Sequence, residues 1–141
     1  MNKALSGIRV LDFTQVLAGP FCTMNLADFG AEVIKIEKPG TGDGSRIFGP
    51  FINGQSGYYT LVNRGKKGVA IDLKKGRDII YEMVRNCDIV VENFKPGVME
   101  KLGYSYEQLK KVNPEIIYCS ISGFGQDSPC LLYTSDAADE L

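Results

Sequence analysis

The sequence predicts an α/β protein: a mostly parallel sheet with flanking helices. Three observations carry this. Short β-branched runs of strand length alternate with stretches of helical spacing along the chain. Residues 9–39 read as strand, loop, helix and strand, the repeating unit of an open α/β sheet. The loops after Phe13, Ile36, Val91 and Ile121 are rich in Gly, Asn, Lys or Pro, as expected where ligands bind beyond the carboxyl ends of parallel strands.

Val10, Leu11 and Phe13 form the first strand. Ala18-Gly19-Pro20 breaks it, and Pro20 suits the first turn of a helix because its missing N–H would be unpaired there. Phe21, Met24, Leu26, Ala27 and Phe29 continue that helix, and Gly30 stops it. Val33, Ile34 and Ile36 make the second strand. Residues 40–57 read as a long, irregular, glycine-rich loop, for which a functional role and a disordered or merely connecting one fit equally. Residues 58–62 form a short helical or extended piece, followed by a basic turn over 63–68. Val69, Ile71 and Leu73 alternate with Ala70 and Asp72, which predicts a strand. Helical spacing follows over 77–86, then a strand over 87–91 and a short helix ending at Gly103. Ser105 is a good N-cap for a helix carrying Tyr106, Leu109 and Val112, stopped by Asn113-Pro114. Ile116, Ile117, Tyr118 and Ile121 supply a further strand.

The 141 residues amount to one domain or part of one. Net charge is -1, which gives no global reason to expect nucleic acid. No apolar run approaches the ~20 residues of a membrane span, and the opening Met-Asn-Lys-Ala-Leu-Ser-Gly has no signal core, so the reading is cytoplasmic. Cys22, Cys87, Cys119 and Cys130 form no Cys-x-x-Cys pair, which fits reduced thiols. The sequence has no histidine, which excludes a histidine triad or a histidine-ligated metal within these residues.

Basic residues gather at turns: Lys35 and Lys38; Arg64, Lys66 and Lys67; Lys74 and Lys75; Lys95 and Lys101. Each alone reads as a solvated surface charge. Several at one sheet edge would make a pocket for a polyanionic small ligand such as a phosphorylated cofactor. The glycines match neither a P-loop nor Gly-x-Gly-x-x-Gly. Asn93 can cap the turn that follows it or hydrogen-bond a ligand amide, with Phe94 offering a flat face to a ring. Asp12 and Asp72 can equally be structural hydrogen-bonding groups. No residue in 1–129 identifies itself as a nucleophile.

Five stretches in order, residues 11–20, 26–37, 63–74, 91–103 and 120–127, resemble the class III coenzyme A transferases. That family includes formyl-CoA transferase and the carnitine and bile-acid CoA-transferases. The resemblance implies that residues 1–129 are the N-terminal portion of a large Rossmann-like domain, in an interlocked homodimer. It implies transfer of CoA from an acyl-CoA donor to a small carboxylic acid through a covalent aspartyl intermediate. Coenzyme A is then a substrate, with no permanently bound cofactor, metal, nucleic acid or membrane. Residue by residue, it sets Gln15, Leu17 and Ala18 beside the thioester. Lys38 and Lys101 meet the CoA phosphates in place of arginines, keeping the charge but losing the bidentate geometry. Ile71, Asp72, Leu73 and Lys74 line the adenine and phosphate end. Asn93, Phe94 and Lys95 hold the CoA chain and adenosine, and Ser122, Gly123, Phe124 and Gly125 border the reacting centre.

The family's nucleophilic aspartate falls just beyond the last matched stretch, so no catalytic residue is assigned. Residues 130–141 change character, with no basic residue, and resemble the translated adapter of a sequencing library. They are read as non-native and kept out of fold reasoning. The chain as written is therefore expected to be inactive and poorly soluble, with an unpaired sheet edge. Two alternatives stand beside the transferase: an α-methylacyl-CoA racemase-type enzyme of the same family, and a non-catalytic CoA- or nucleotide-binding module.

Overall fold

Val10, Leu11, Val90 and Val91 are at most 1% exposed, because β1 (Arg9–Asp12) and β6 (Ile89–Glu92) lie at the middle of a sheet covered on both faces. The computed structural model describes residues 3–126. Tail residues 130–141 and the expected nucleophile position lie outside these. The sheet also contains β2 (Glu32–Glu37), β5 (Lys67–Ala70) and β7 (Ile117–Ser120). Among the described residues it has five strands in the order β5-β2-β1-β6-β7, and every pairing is parallel. The chain winds outward from β1 to β2 and β5, then returns to add β6 and β7 on the other side. The reversal leaves a switch point beside β1, where open α/β sheets bind ligands.

Strand alternation divides the side chains between two faces. On one face Leu11, Phe13, Ile36 and Val90 pack against α3 (Arg77–Arg85), α4 (Val98–Leu102) and α5 (Tyr106–Lys110) through Ile80, Val84, Met99, Tyr104 and Leu109. On the other, Val10, Val33 and Val91 meet α1 (Ala18–Asp28) through Leu26 and Ala27. Pro20 is the third residue of α1, within the first turn. Gly30 then leaves the helix with φ +104, a left-handed conformation that suits glycine.

Three sequence expectations shift. The strand predicted to reach Leu73 ends at Ala70, because Asp72 turns the chain: its Oδ1 accepts the Lys74 N–H at 2.9 Å and its carbonyl accepts from Gly76 at 2.7 Å. The helix expected to run to Val112 stops at Lys110. Asn113 lies beyond its end, its N–H donating to the Leu109 carbonyl at 2.9 Å and its carboxamide tied to the end of α3 through the carbonyls of Val84 and Cys87 at 3.0 and 2.8 Å. The glycine-rich loop is ordered. It forms a 3-10 turn over Gly44–Ile47, a hairpin of β3 (Phe51–Ile52) and β4 (Gln55–Ser56), and α2 (Gly57–Val62). The hairpin turns on Asn53 and Gly54, at φ 50 and 77, the pattern of a two-residue turn. The Ser105 start holds, with Gln108 Oε1 accepting the Ser105 N–H at 2.8 Å.

Candidate functional site

The loops that follow β1, β2, β5, β6 and β7 all leave one edge of the sheet, because every strand points the same way. The first is residues 13–17. Its bend brings Gly19 so close to Thr14 that an added Cβ would stand 2.3 Å from the Thr14 Cβ, so the turn needs glycine there. Val16 has φ 65, a region that β-branched residues avoid.

Side chains hold this loop in place. The Thr14 N–H donates to Asp12 Oδ1 at 2.9 Å, and the Thr14 carbonyl accepts from Lys35 Nζ at 2.6 Å. The Gln15 N–H donates to Asn93 Oδ1 at 2.7 Å, and the Gln15 carbonyl accepts from Asn93 Nδ2 at 2.9 Å. The Val16 N–H donates to Asp43 Oδ1 at 3.1 Å. Asn93 thus neither caps its own turn nor stands open. It crosses the switch point and clamps the first loop to β6. The carboxamide of Gln15 has no hydrogen-bond partner among the described residues, and Leu17, the N-cap residue of α1, is 46% exposed. No side chain caps α1 and no acid stands in its first turn, so the positive end of its dipole is unopposed at this edge.

Beneath the loop lies a buried polar layer. Asp12, fully buried, also accepts from Thr23 Oγ1 at 2.6 Å and from Lys66 Nζ at 3.0 Å. Lys66 donates further to the Pro20 carbonyl and to Asn63 Oδ1, and its burial lowers its pKa against the pull of Asp12. Lys35 and Asp12 are neighbours in the parallel ladder. Asp43 Oδ2 faces Lys35 Nζ at 2.8 Å without a well-aligned hydrogen bond. Burial alone would raise the Asp43 carboxyl, but the Lys35 ammonium and the Ser45 donors hold it below the ordinary range. Next to this layer Glu37 pairs with Arg46 at 2.7 Å and accepts from Tyr59 Oη at 2.7 Å. Burial raises the Glu37 carboxyl, yet these donors bring it down to about 2. Glu92 differs: the hydroxyl of Ser120 and the N–H of Phe94 donate to it, and burial raises its pKa against them.

The expected polyanion pocket therefore loses members. Lys35 and Lys66 are withdrawn into buried ion pairs. Lys67 pairs with Glu32 at the opposite, amino end of the sheet, and Arg64 pairs with Asp28. Lys38, Lys74 and Lys101 are exposed at or near the carboxyl edge. The 71–74 stretch meets the α4–α5 junction: Tyr104 Oη donates to the Leu73 carbonyl at 2.6 Å, and Arg77 donates to the Leu102 carbonyl at 3.1 Å. Ile71 and Phe94, at 8% and 5% exposure, belong to the apolar core, so the Phe94 ring contributes packing rather than an open face. Asp72 serves its own turn, Leu73 is partly buried and Lys95 is half-buried. Ala18 opens α1 at the surface, and after β7 Ser122 is half-buried while Gly123, Phe124 and Gly125 are exposed. The Cys22, Cys87 and Cys119 thiols are free and raised by burial, Cys87 to about 11, which does not suit a nucleophile. A concavity of about 620 Å³ lies elsewhere, between α3 and the amino ends of β1 and β2.

Residues 5–135 match the family model described as CoA-transferase family III. This chain belongs to CoA-transferase family III. It is 52% identical over 130 residues to succinyl-CoA:glutarate CoA-transferase of Mus musculus, covering 90% of this chain and 30% of that protein. It is 52% identical over 129 residues to acetyl-CoA:oxalate CoA-transferase of Acetobacter aceti, covering 90% of this chain and 33% of that one. The crystal structure of a CAIB/BAIF family protein from Brucella suis superposes with a TM-score of 0.86 at 39% identity, covering 98% of this chain and 37% of that one. The chain thus spans about a third of the length of these family members. Asp12 is the structural hydrogen-bonding group the sequence offered; its partners Thr23 and Lys66, and the loop anchors Lys35 and Asp43, went unpredicted. A charged residue at an inward strand position, as at Asp12 and Lys35, was the available signal.

Proposed function

We propose that the full-length protein carrying this chain is a CoA-transferase that moves CoA from an acyl-CoA donor to a small carboxylic acid. The observation that carries the reading is the family match across residues 5–135, which includes all five loops at the carboxyl edge. Two relatives named for glutarate and oxalate acceptors make a dicarboxylic acid the first acceptor to try. Neither the racemase nor the non-catalytic module is favoured by these similarities.

In this reading an aspartate of the full-length protein, downstream of the segment that ends at residue 129 and not among the residues of this chain, attacks the donor thioester carbonyl. CoA thiolate leaves and a mixed acyl–aspartyl anhydride forms. The thiolate then attacks the aspartyl carbonyl, which releases the donor acid and leaves an aspartyl–CoA thioester. The acceptor carboxylate displaces the thiolate to form a second anhydride. The thiolate finally attacks the acceptor's acyl carbonyl, giving the new CoA ester and free aspartate. The Gln15 carboxamide supplies a hydrogen-bond donor beside the thioester, and the uncapped start of α1 favours the negative charge that develops there. Lys38, Lys74 and Lys101 are exposed partners for the CoA phosphates. Asn93 holds Gln15 in place, Lys95 borders the CoA chain, and Ser122 to Gly125 border the reacting centre.

The test is to incubate the full-length protein with succinyl-, acetyl- or formyl-CoA and with glutarate or oxalate, and to follow new CoA esters by mass spectrometry. At least one pair is expected to exchange CoA, and quenching with hydroxylamine is expected to yield an aspartyl hydroxamate. A folded protein that exchanges none of these pairs contradicts the reading.

A further inference from the structure

From the Thr14 N–H to the Val16 N–H, five successive backbone polar groups are each bonded by a side chain, and four side chains do all of it: Asp12, Lys35, Asn93 and Asp43. Lys35 and Asp43 grip the two ends of this stretch that flank Gln15. They also face each other, Nζ 2.8 Å from Oδ2, with side chains 1% and 0% exposed. Asp43 is itself locked, its Oδ1 accepting from the Ser45 N–H and hydroxyl at 2.9 and 2.8 Å and its N–H donating to Glu37 Oε2 at 2.9 Å. Val16 between them has φ 65, which a β-branched residue does not adopt unless held. A buried ion pair is a weak source of stability, and well-packed apolar residues of similar volume often replace one without loss. What an apolar pair could not do here is bond the Thr14 carbonyl and the Val16 N–H.

We propose that the Lys35–Asp43 ion pair is the positioning device of the carboxyl-edge site: it holds the 14–16 backbone in its strained conformation and so aims Gln15 and the start of α1. This inference rests on the transferase reading of that edge. Lys35 and Asp43 touch no substrate in it. They act through the loop.

The test uses the full-length protein and the double variant Lys35→Met/Asp43→Leu, which removes both charges together. Leu109→Ala is the control, since it loosens the core on the opposite face without touching the loop. Amide exchange of Val16 is expected to quicken by about 10-fold or more in the double variant and to stay unchanged in Leu109→Ala. In steady state, kcat of the double variant is expected to fall about 10- to 100-fold with KM for acyl-CoA within about threefold, because the phosphate contacts lie elsewhere. If the double variant does not fold, Asp43→Asn carries the same expectation at about fivefold in kcat, with part of the loss restored by Asp43→Glu. An unchanged kcat with unchanged Val16 exchange in a folded variant overturns the proposal. So does faster Val16 exchange with an unchanged kcat, since the pair is then merely structural. If the wild-type protein turns over no acyl-CoA, the transferase reading fails by itself, and the exchange of Val16 alone decides whether the pair holds the loop.

Discussion

The two faces of one sheet are built on different physics. Against α3, α4 and α5, the core is apolar from end to end: Leu11, Phe13, Ile36 and Val90 meet Ile80, Val84, Tyr104 and Leu109. Against α1, β1 and β2 are apolar only in their amino halves, at Val10 and Val33, while Val91 of β6 stays apolar beside Asp12. One strand step further toward the carboxyl edge, the same face carries Asp12 beside Lys35, then Lys66 and Asp43. The change falls where the loops leave the sheet. A turn of backbone needs partners for its N–H and C=O groups, and apolar side chains cannot provide them. The apolar face therefore supplies packing, and the charged half-face supplies hydrogen bonds to the loop above it.

If that contrast is right, single truncations should separate the faces. Lys66→Met leaves Asp12 buried without its cation and is expected to destabilise the full-length protein by about 3–5 kcal/mol in urea unfolding. A cost below about 1 kcal/mol would erase the distinction. Leu109→Ala leaves a cavity on the apolar face and is expected to cost about 2–4 kcal/mol. It is also expected to leave turnover of the folded protein unaltered, unlike changes to Lys35 and Asp43. The smallest effect is a pH dependence at the rim of the charged region. Glu37 is held at about 2, below its ordinary 4.5, by Arg46 and Tyr59 against its own burial. A depressed carboxyl contributes stability that is complete above about 4.5 and is lost as pH falls toward 2. Denaturation midpoints of wild-type protein should therefore drop between those values, and Glu37→Gln should flatten the drop. A slope that Glu37→Gln leaves unchanged would assign the acid sensitivity to other carboxylates.

Much of the architecture was legible in the residues. The alternation of β-branched runs with helical spacing predicted the parallel sheet, and the Gly30 and Ser105 boundaries were read from local chain chemistry. The grouping of strand-end loops at one edge followed from topology alone. Other parts carried a signal that went unread. Asn53-Gly54 is a hairpin turn pair, and Asp43-Gly44-Ser45 is a side-chain-capped turn start. Both were lost in a stretch that looked merely glycine-rich. The strand that ends at Ala70 was overextended because Ile71 and Leu73 keep the alternation while Asp72 turns the chain.

The site was less legible than the fold. Asn93 was singled out, but which group it bonds depended on β6 lying next to β1, seventy-eight residues away in sequence from Gln15. Lys66 looks, in sequence, like any lysine near a turn, and Lys35 looks like one of a basic pair with Lys38 despite its place inside the strand run; their resemblance to surface charges was misleading.

Local sequence determined the strands, the caps, the faces on which each strand residue falls and the family to which the chain belongs. Those are settled within a few residues of one another, by steric preference and by the period of apolar side chains. Only the tertiary structure decided which charges are inside. Burying a lysine requires an acid and a set of acceptors to arrive at the same point, and Asp12 with the Thr14 carbonyl, Asp43 and Asn63 come from three separate stretches of chain. No local pattern encodes that meeting.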